Sequence, residues 1–173
     1  MSFNKVFLIG FMGCGKSTFG RKLAKQLEWE FIDLDDYIEE QERCSISEIF
    51  KNKGEVYFRN LETKALKESN QWINTIISTG GGTPCFNDNI DLINKIGLSI
   101  HIKLSPEDLK IRLEGEKAKR PLIADLSDGE LLSFIKLKLS ERNTYYSSSE
   151  LIFDYSDEMV IVFIEALKIR LGI

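Results

Sequence analysis

The sequence predicts an α/β fold built on a largely parallel sheet, and three features predict it. Short apolar runs alternate with longer segments of helical period along the chain. A glycine-rich loop stands between the first apolar run and the first helical segment, as a strand–loop–helix unit requires. The length, 173 residues, lies in the range of one compact domain with a real core, so residues 1–173 are expected to form a single domain.

Taken in order, residues 3–9 read as the first strand and 16–27 as the first helix. Residues 29–33 form a second strand, and a short helix opens near Asp36, where Asp36 and Glu39 have the spacing of a capping box. Residues 45–71 read as two helices broken around Gly54, followed by a third strand over 73–79. A fourth strand covers 98–104. Ser105-Pro106-Glu107 then opens a helix, with serine as cap and proline in the first helical position. A short fifth strand at 151–153 and a closing helix over 158–171 complete the alternation. The charged stretch 114–125, which includes Glu114, Lys117 and Arg120, has no apolar period; it reads as a solvated loop or as a mobile lid over a phosphate site.

Composition narrows the functional classes. With 23 basic and 27 acidic residues the net charge is −4, so the chain has no overall attraction for nucleic acid or an anionic membrane, and neither is expected as a partner. Any anion it binds must be held by a local constellation. Cys14, Cys44 and Cys85 are odd in number and scattered, which fits neither a disulfide framework nor a zinc site and points to a reducing, cytoplasmic setting. The single histidine, His101, rules out a His-rich metal site. Lys5 and the apolar stretch after it superficially resemble a signal peptide, but the stretch runs directly into Gly-Lys-Ser-Thr. No segment approaches the roughly 20 apolar residues of a membrane span.

Gly10-Phe11-Met12-Gly13-Cys14-Gly15-Lys16-Ser17 satisfies G-x-x-x-x-G-K-[ST] in full, with Thr18 following. Its glycines let backbone N–H groups close around phosphates, and the next helix adds its positive N-terminal end. Lys16 would bring a positive charge to the transferring phosphate, and the Ser17 hydroxyl would ligate Mg²⁺. Gly13, Cys14, Gly15, Lys16, Ser17 and Thr18 are therefore the candidate nucleotide-binding residues, with ATP and Mg²⁺ as the expected ligands. The motif is silent about the acceptor.

Candidates for the acceptor side lie at the ends of the second and third strands. Asp33 and Asp35 are two apart in an extended segment and so share one side. One could serve the magnesium shell while the other orients a hydroxyl or takes its proton. Alternatively, Asp35 caps a helix and Asp33 is a solvated strand end. Gly80-Gly81-Gly82 at the next strand end exposes backbone amides to a ligand, or is simply a flexible turn. Arg59 accompanies Val56, Leu61 and Ala65 on a helix, and Arg142 continues the stripe of Leu131, Ile135 and Leu139. An arginine on such a face needs an anionic partner. Glu62 could supply one for Arg59, and a helix C-terminus could suit Arg142, but together they suggest a bidentate carboxylate site.

These motifs, with Phe58-Arg59, Arg120-Pro121-Leu122 and Glu141-Arg142-Asn143-Thr144-Tyr145-Tyr146, resemble in order those of the shikimate kinase family, over nearly the whole chain. The resemblance implies a three-layer α/β/α P-loop fold with five parallel strands in order 2-3-1-4-5 and a lid near 114–125. It implies transfer of the γ-phosphoryl of ATP to the 3-hydroxyl of shikimate, on the route to chorismate and the aromatic amino acids. Asp35, Arg59, Arg142 and the run Gly80, Gly81, Gly82 would bind shikimate, both arginines on its carboxylate. Ser17 would ligate Mg²⁺ directly, Asp33 through its water shell, and Arg120 on the lid would reach the ATP phosphates. Lys16, Asp35 and Arg120 are the expected catalytic residues, and a monomer is the expected state. Many relatives carry a basic residue after the fifth strand; here Asp154-Tyr155-Ser156-Asp157 has none, so no adenine contact is assigned. A kinase of another small hydroxy acid such as gluconate, or a non-catalytic sensor of ATP or shikimate, would share parts of this pattern.

Overall fold

The computed structural model describes residues 3–117 and 122–173. Five strands, β1 (Lys5–Ile9), β2 (Glu30–Asp33), β3 (Thr75–Ser78), β4 (Leu98–Lys103) and β5 (Leu151–Asp154), make one sheet in order β2-β3-β1-β4-β5. Every neighbouring pair is parallel, as crossover connections through helices require. Central strand β1 is buried along its whole length, which explains why Val6–Ile9 is an unbroken apolar run rather than an alternating one. Register brings the chemistry to one edge. Ser78 stands beside Leu8 of β1 and beside Asp33 of β2, so the ends of three strands align where the glycine-rich loop begins.

Seven helices among the described residues clothe the sheet: α1 (Lys16–Leu27), α2 (Leu34–Glu42), α3 (Ile46–Glu68), α4 (Asn89–Ile96), α5 (Pro106–Glu114), α6 (Asp128–Ser147) and α7 (Val160–Leu171). Helix α1 has the expected bounds and buries Phe19, Gly20, Leu23 and Leu27 at helical spacing. Ser105 caps α5 with Pro106 in the first turn, as anticipated. Capping boxes of Ser45 with Glu48 and of Ser127 with Glu130 fix the starts of α3 and α6.

Several expectations about boundaries are corrected. Helix α2 starts at Leu34 instead of near Asp36, because the Asp33 side chain accepts from the Asp35 N–H and makes Asp33 the cap. The break expected around Gly54, by contrast, is present: the helical backbone of α3 is interrupted there, at a φ of 80° that suits glycine. Strand β3 is shorter than expected, and α7 is preceded by a 3-10 turn at Asp157–Met159. Helix α4 and the 3-10 turn Thr83–Cys85 were not foreseen. The stripe on α6 holds: Leu131 and Ile135 are buried, and Arg142 sits half-buried on that side. No helix among the described residues is long and apolar enough to cross a membrane.

Candidate active site

The phosphate loop departs from β1 at Gly10, where a Cβ would lie 2.6 Å from the Ile102 carbonyl oxygen; only glycine lets β1 and β4 stay this close. Gly13 and Gly15, at φ of 78° and 94°, carry the loop through left-handed turns into α1. A cavity of about 500 Å³ opens over it, lined by Gly13, Gly15, Lys16, Ser17 and Thr18 on one side and by Asp33, Asp35, Gly80 and Gly81 on the other. Lys16 is buried, and its Nζ donates to the carbonyls of Gly10 at 2.8 Å and Phe11 at 3.0 Å. Ser17 Oγ donates to Asp33 Oδ2 at 2.7 Å and lies 3.5 Å from Ser78 Oγ. Cys14 is the exception among the loop candidates. Its side chain, 1% exposed, turns away from this cavity, and its N–H is engaged by the Phe11 carbonyl at 3.2 Å. All three cysteines are free thiols.

A second cavity, of about 360 Å³, adjoins the first and shares Met12, Asp35, Gly80 and Gly81 with it. Its far walls include Phe50, Phe58, Arg59, Glu62, Gly82 and Arg142. Two elements that are remote in sequence, α3 and α6, thus bring both arginines into one concavity. Arg142 Nη1 and the Tyr146 hydroxyl donate to the Gly81 carbonyl at 3.2 and 2.6 Å, tying α6 to the glycine turn. Arg142 also lies over the Phe11 ring at 5.5 Å.

Arg59 has both of the partners weighed for it. It lines the cavity, and it also pairs with Glu62 at 2.8 Å and Glu55 at 2.8 Å. Glu62 is 0% exposed; its second oxygen accepts from Thr83 Oγ1. Sequence reasoning treated Glu62 only as a rival partner for Arg59. In the structure it is the buried post that fixes the guanidinium in the cavity wall, and burial raises its pKa while Arg59 opposes the rise.

Asp35 sits on the wall common to both cavities. Its Oδ1 is buried with no hydrogen-bond partner among the described residues, and a Cβ on Gly80 would lie 2.9 Å from that oxygen. Burial first, then the neighbouring Asp33 and Glu62, lift its pKa to about 7, against a smaller opposing pull from Lys16. A carboxyl group poised near neutrality suits proton acceptance at physiological pH.

Arg112 was missed. From α5 it lines the phosphate cavity, donates to the Cys14 carbonyl at 3.3 Å and lies over the Tyr155 ring at 5.0 Å. The basic side chain beside the segment after β5 therefore comes from another helix, and no local pattern around 154–157 signals it. Arg120 lies outside the described residues, as does part of the 114–125 stretch.

A phosphate loop sharing one carboxylate with an arginine-walled second cavity is the arrangement of a small-molecule phosphotransferase, and comparison with known proteins decides which kind. A sequence profile of shikimate kinase matches residues 12–168. The chain belongs to the shikimate kinase family. A shikimate kinase of Parabacteroides distasonis is 43% identical over 150 residues, covering 87% of each chain. The crystal structure of the family member from Bacteroides thetaiotaomicron superposes with a TM-score of 0.91 at 36% identity, covering 99% of this chain and 100% of that one. The family member from Acinetobacter baumannii, solved in complex with shikimate, gives 0.85 at 27% identity over 98% and 94% of the two chains. The sheet order expected from the resemblance is the observed one.

Proposed function

We infer that the protein is a shikimate kinase, transferring the γ-phosphoryl of ATP to the 3-hydroxyl of shikimate. The observation that carries this reading is Asp35 on the wall shared by the phosphate cavity and the arginine cavity. With the triphosphate over the Lys16 loop and the substrate carboxylate on Arg59 and Arg142, a ring hydroxyl faces Asp35. The hydroxyl oxygen forms a bond to the γ-phosphorus as the bond to the bridging β–γ oxygen breaks. ADP departs with that oxygen, and the hydroxyl proton passes to Asp35. The transition state is loose, so catalysis consists of positioning and charge stabilisation, which Lys16 and Arg112 supply from this chain. The family resemblance assigns Arg120 a further cationic role at the phosphates.

Magnesium fits the residues present. Ser17 and Asp33 offer a hydroxyl and a carboxylate 2.7 Å apart, a hard-oxygen pair at the loop. Mg²⁺ binds through one or two such protein groups plus phosphates and water. When bound it neutralises charge on the transferring phosphates. Cys14 contributes to nucleotide binding only through the loop backbone, because its thiol faces elsewhere. The chain is proposed to act as one domain and one copy, since both cavities are walled by its own residues. Its free thiols suit a cytoplasmic setting.

A coupled assay of ADP release tests the reading. Release is expected to depend on shikimate and to stay at background with gluconate. Turnover with gluconate instead would establish the other hydroxy-acid kinase. Saturable binding of ATP and shikimate without turnover would establish a sensor.

A further inference from the structure

Behind the phosphate loop lies a third cavity, of about 170 Å³, that shares no lining residue with the two substrate cavities. Its walls are mostly apolar: Phe11 and Cys14 from the loop, Leu109 from α5, Leu139 and Tyr146 from α6. His101 of β4 lines it as well. That side chain is 7% exposed, and its imidazole makes no hydrogen bond among the described residues. Its contact is a tilted ring packing on Tyr146, with centroids 5.0 Å apart. The catalytic scheme has no use for it.

The ring has no protein partner among the described residues but is not sealed off, so it meets solvent through the cavity, and a ligand's polar group can take the place of that water. Burial, with Lys103 next in importance, pushes its pKa down to about 4, so at neutral pH it presents one donor and one acceptor. An apolar cavity of about 150 Å³ is large enough to hold benzene. The walls supply no free counter-charge: Lys103, at the margin, is paired with Asp154 at 3.0 Å, and the Tyr146 hydroxyl donates to Gly81. Size, apolar walls and the polar His101 ring, with the Asn143 amide also on the wall, together define what fits.

We propose that this cavity is a binding site for a small uncharged aromatic molecule with one hydrogen-bonding group, its ring packed among Phe11, Leu109, Leu139 and Tyr146 and its polar group on His101. The site is independent of the substrate assignments. It does adjoin them physically, because Phe11 accepts from Lys16 through its carbonyl and Tyr146 holds Gly81.

Titration of the 173-residue chain with phenol and separately with benzene, followed by amide chemical shifts, tests the proposal without any activity readout. Phenol should give saturable shifts centred on Phe11, Cys14, His101 and Tyr146, with at least threefold tighter binding than benzene. In His101→Leu that preference should fall to within twofold. Leu139→Trp, which fills the cavity from α6, should weaken phenol at least tenfold while shikimate-dependent ADP release persists. No saturable shift up to the solubility of phenol would mean that the cavity holds only solvent, and would overturn the proposal. So would shifts centred on the Asp35 region, or binding unchanged in Leu139→Trp. If either variant fails to fold, the phenol–benzene comparison and shift map of the unsubstituted chain decide the matter alone.

Discussion

Asp35 and the two arginines carry the sharpest expectations at the scale of single residues. If Asp35 accepts the hydroxyl proton, kcat/KM for shikimate should rise with pH around a midpoint near 7, where this carboxyl ionises. Asp35→Asn should lower kcat by roughly 10² to 10⁴ and remove that limb; an unchanged pH profile would assign the base elsewhere. The arginines look equivalent in sequence and differ in structure. Arg142 rests on a carbonyl, so Arg142→Ala should raise KM for shikimate by roughly ten- to 150-fold at little cost in stability. Arg59 neutralises a fully buried Glu62, so Arg59→Ala should raise KM and also destabilise the fold by about 3 kcal/mol. Thermal melts beside steady-state kinetics separate the two. Similar melting temperatures for both variants would contradict the distinction.

Among the elements, helix α1 is the most tightly committed, since it carries Lys16 and Ser17 and packs directly on the sheet. Gly20 is the point of closest approach: a Cβ there would collide with the Phe31 ring and lie 2.9 Å from Leu8 Cδ1. Gly20→Ala, favourable for an isolated helix, should instead destabilise by roughly 1 to 3 kcal/mol through overpacking, as denaturant unfolding would show. Elements also mark how far the sequence could be read. The bounds of α1 and the placement of Gly13, Gly15, Lys16 and Ser17 on one cavity were legible, because a strand–loop–helix unit fixes their spacing. Helix α4 was not. It follows Asn87 and Asp88, both with positive φ and both ordinary turn residues, and only Asn89, Ile90 and Ile93 are buried on it. The role of Glu62 was hidden for a different reason: its second oxygen is met by Thr83, 21 residues away, and local spacing offered only the pairing with Arg59. Arg112 reaches the loop from α5 across 98 residues of sequence, and Cys14 turns its thiol inward for packing, which a loop motif does not encode.

Across the whole molecule, two shifted titrating groups work against one another. Between about pH 4 and 6.5 the native chain keeps His101 neutral whereas the unfolded chain protonates it, so this group makes stability rise with pH. Over the same window the native chain keeps Asp35 protonated whereas the unfolded chain ionises it, so stability falls with pH. Each slope is about 1.4 kcal/mol per pH unit, and the two nearly cancel. Relative to the unsubstituted protein, His101→Leu should therefore lose stability as pH rises from about 4.5 to 6.5, and Asp35→Asn should gain it. Urea unfolding across that range measures both; parallel curves for all three proteins would show that neither group is shifted.

The alignment of the strand ends has a practical side. Because all five strands are parallel, their starting ends gather at the opposite rim, next to turns such as the one at Ile73, which is 67% exposed, and Asn74. A dye, crosslinker or solid support attached at that rim would leave the reacting groups facing open solution, so a tethered sample should keep its turnover.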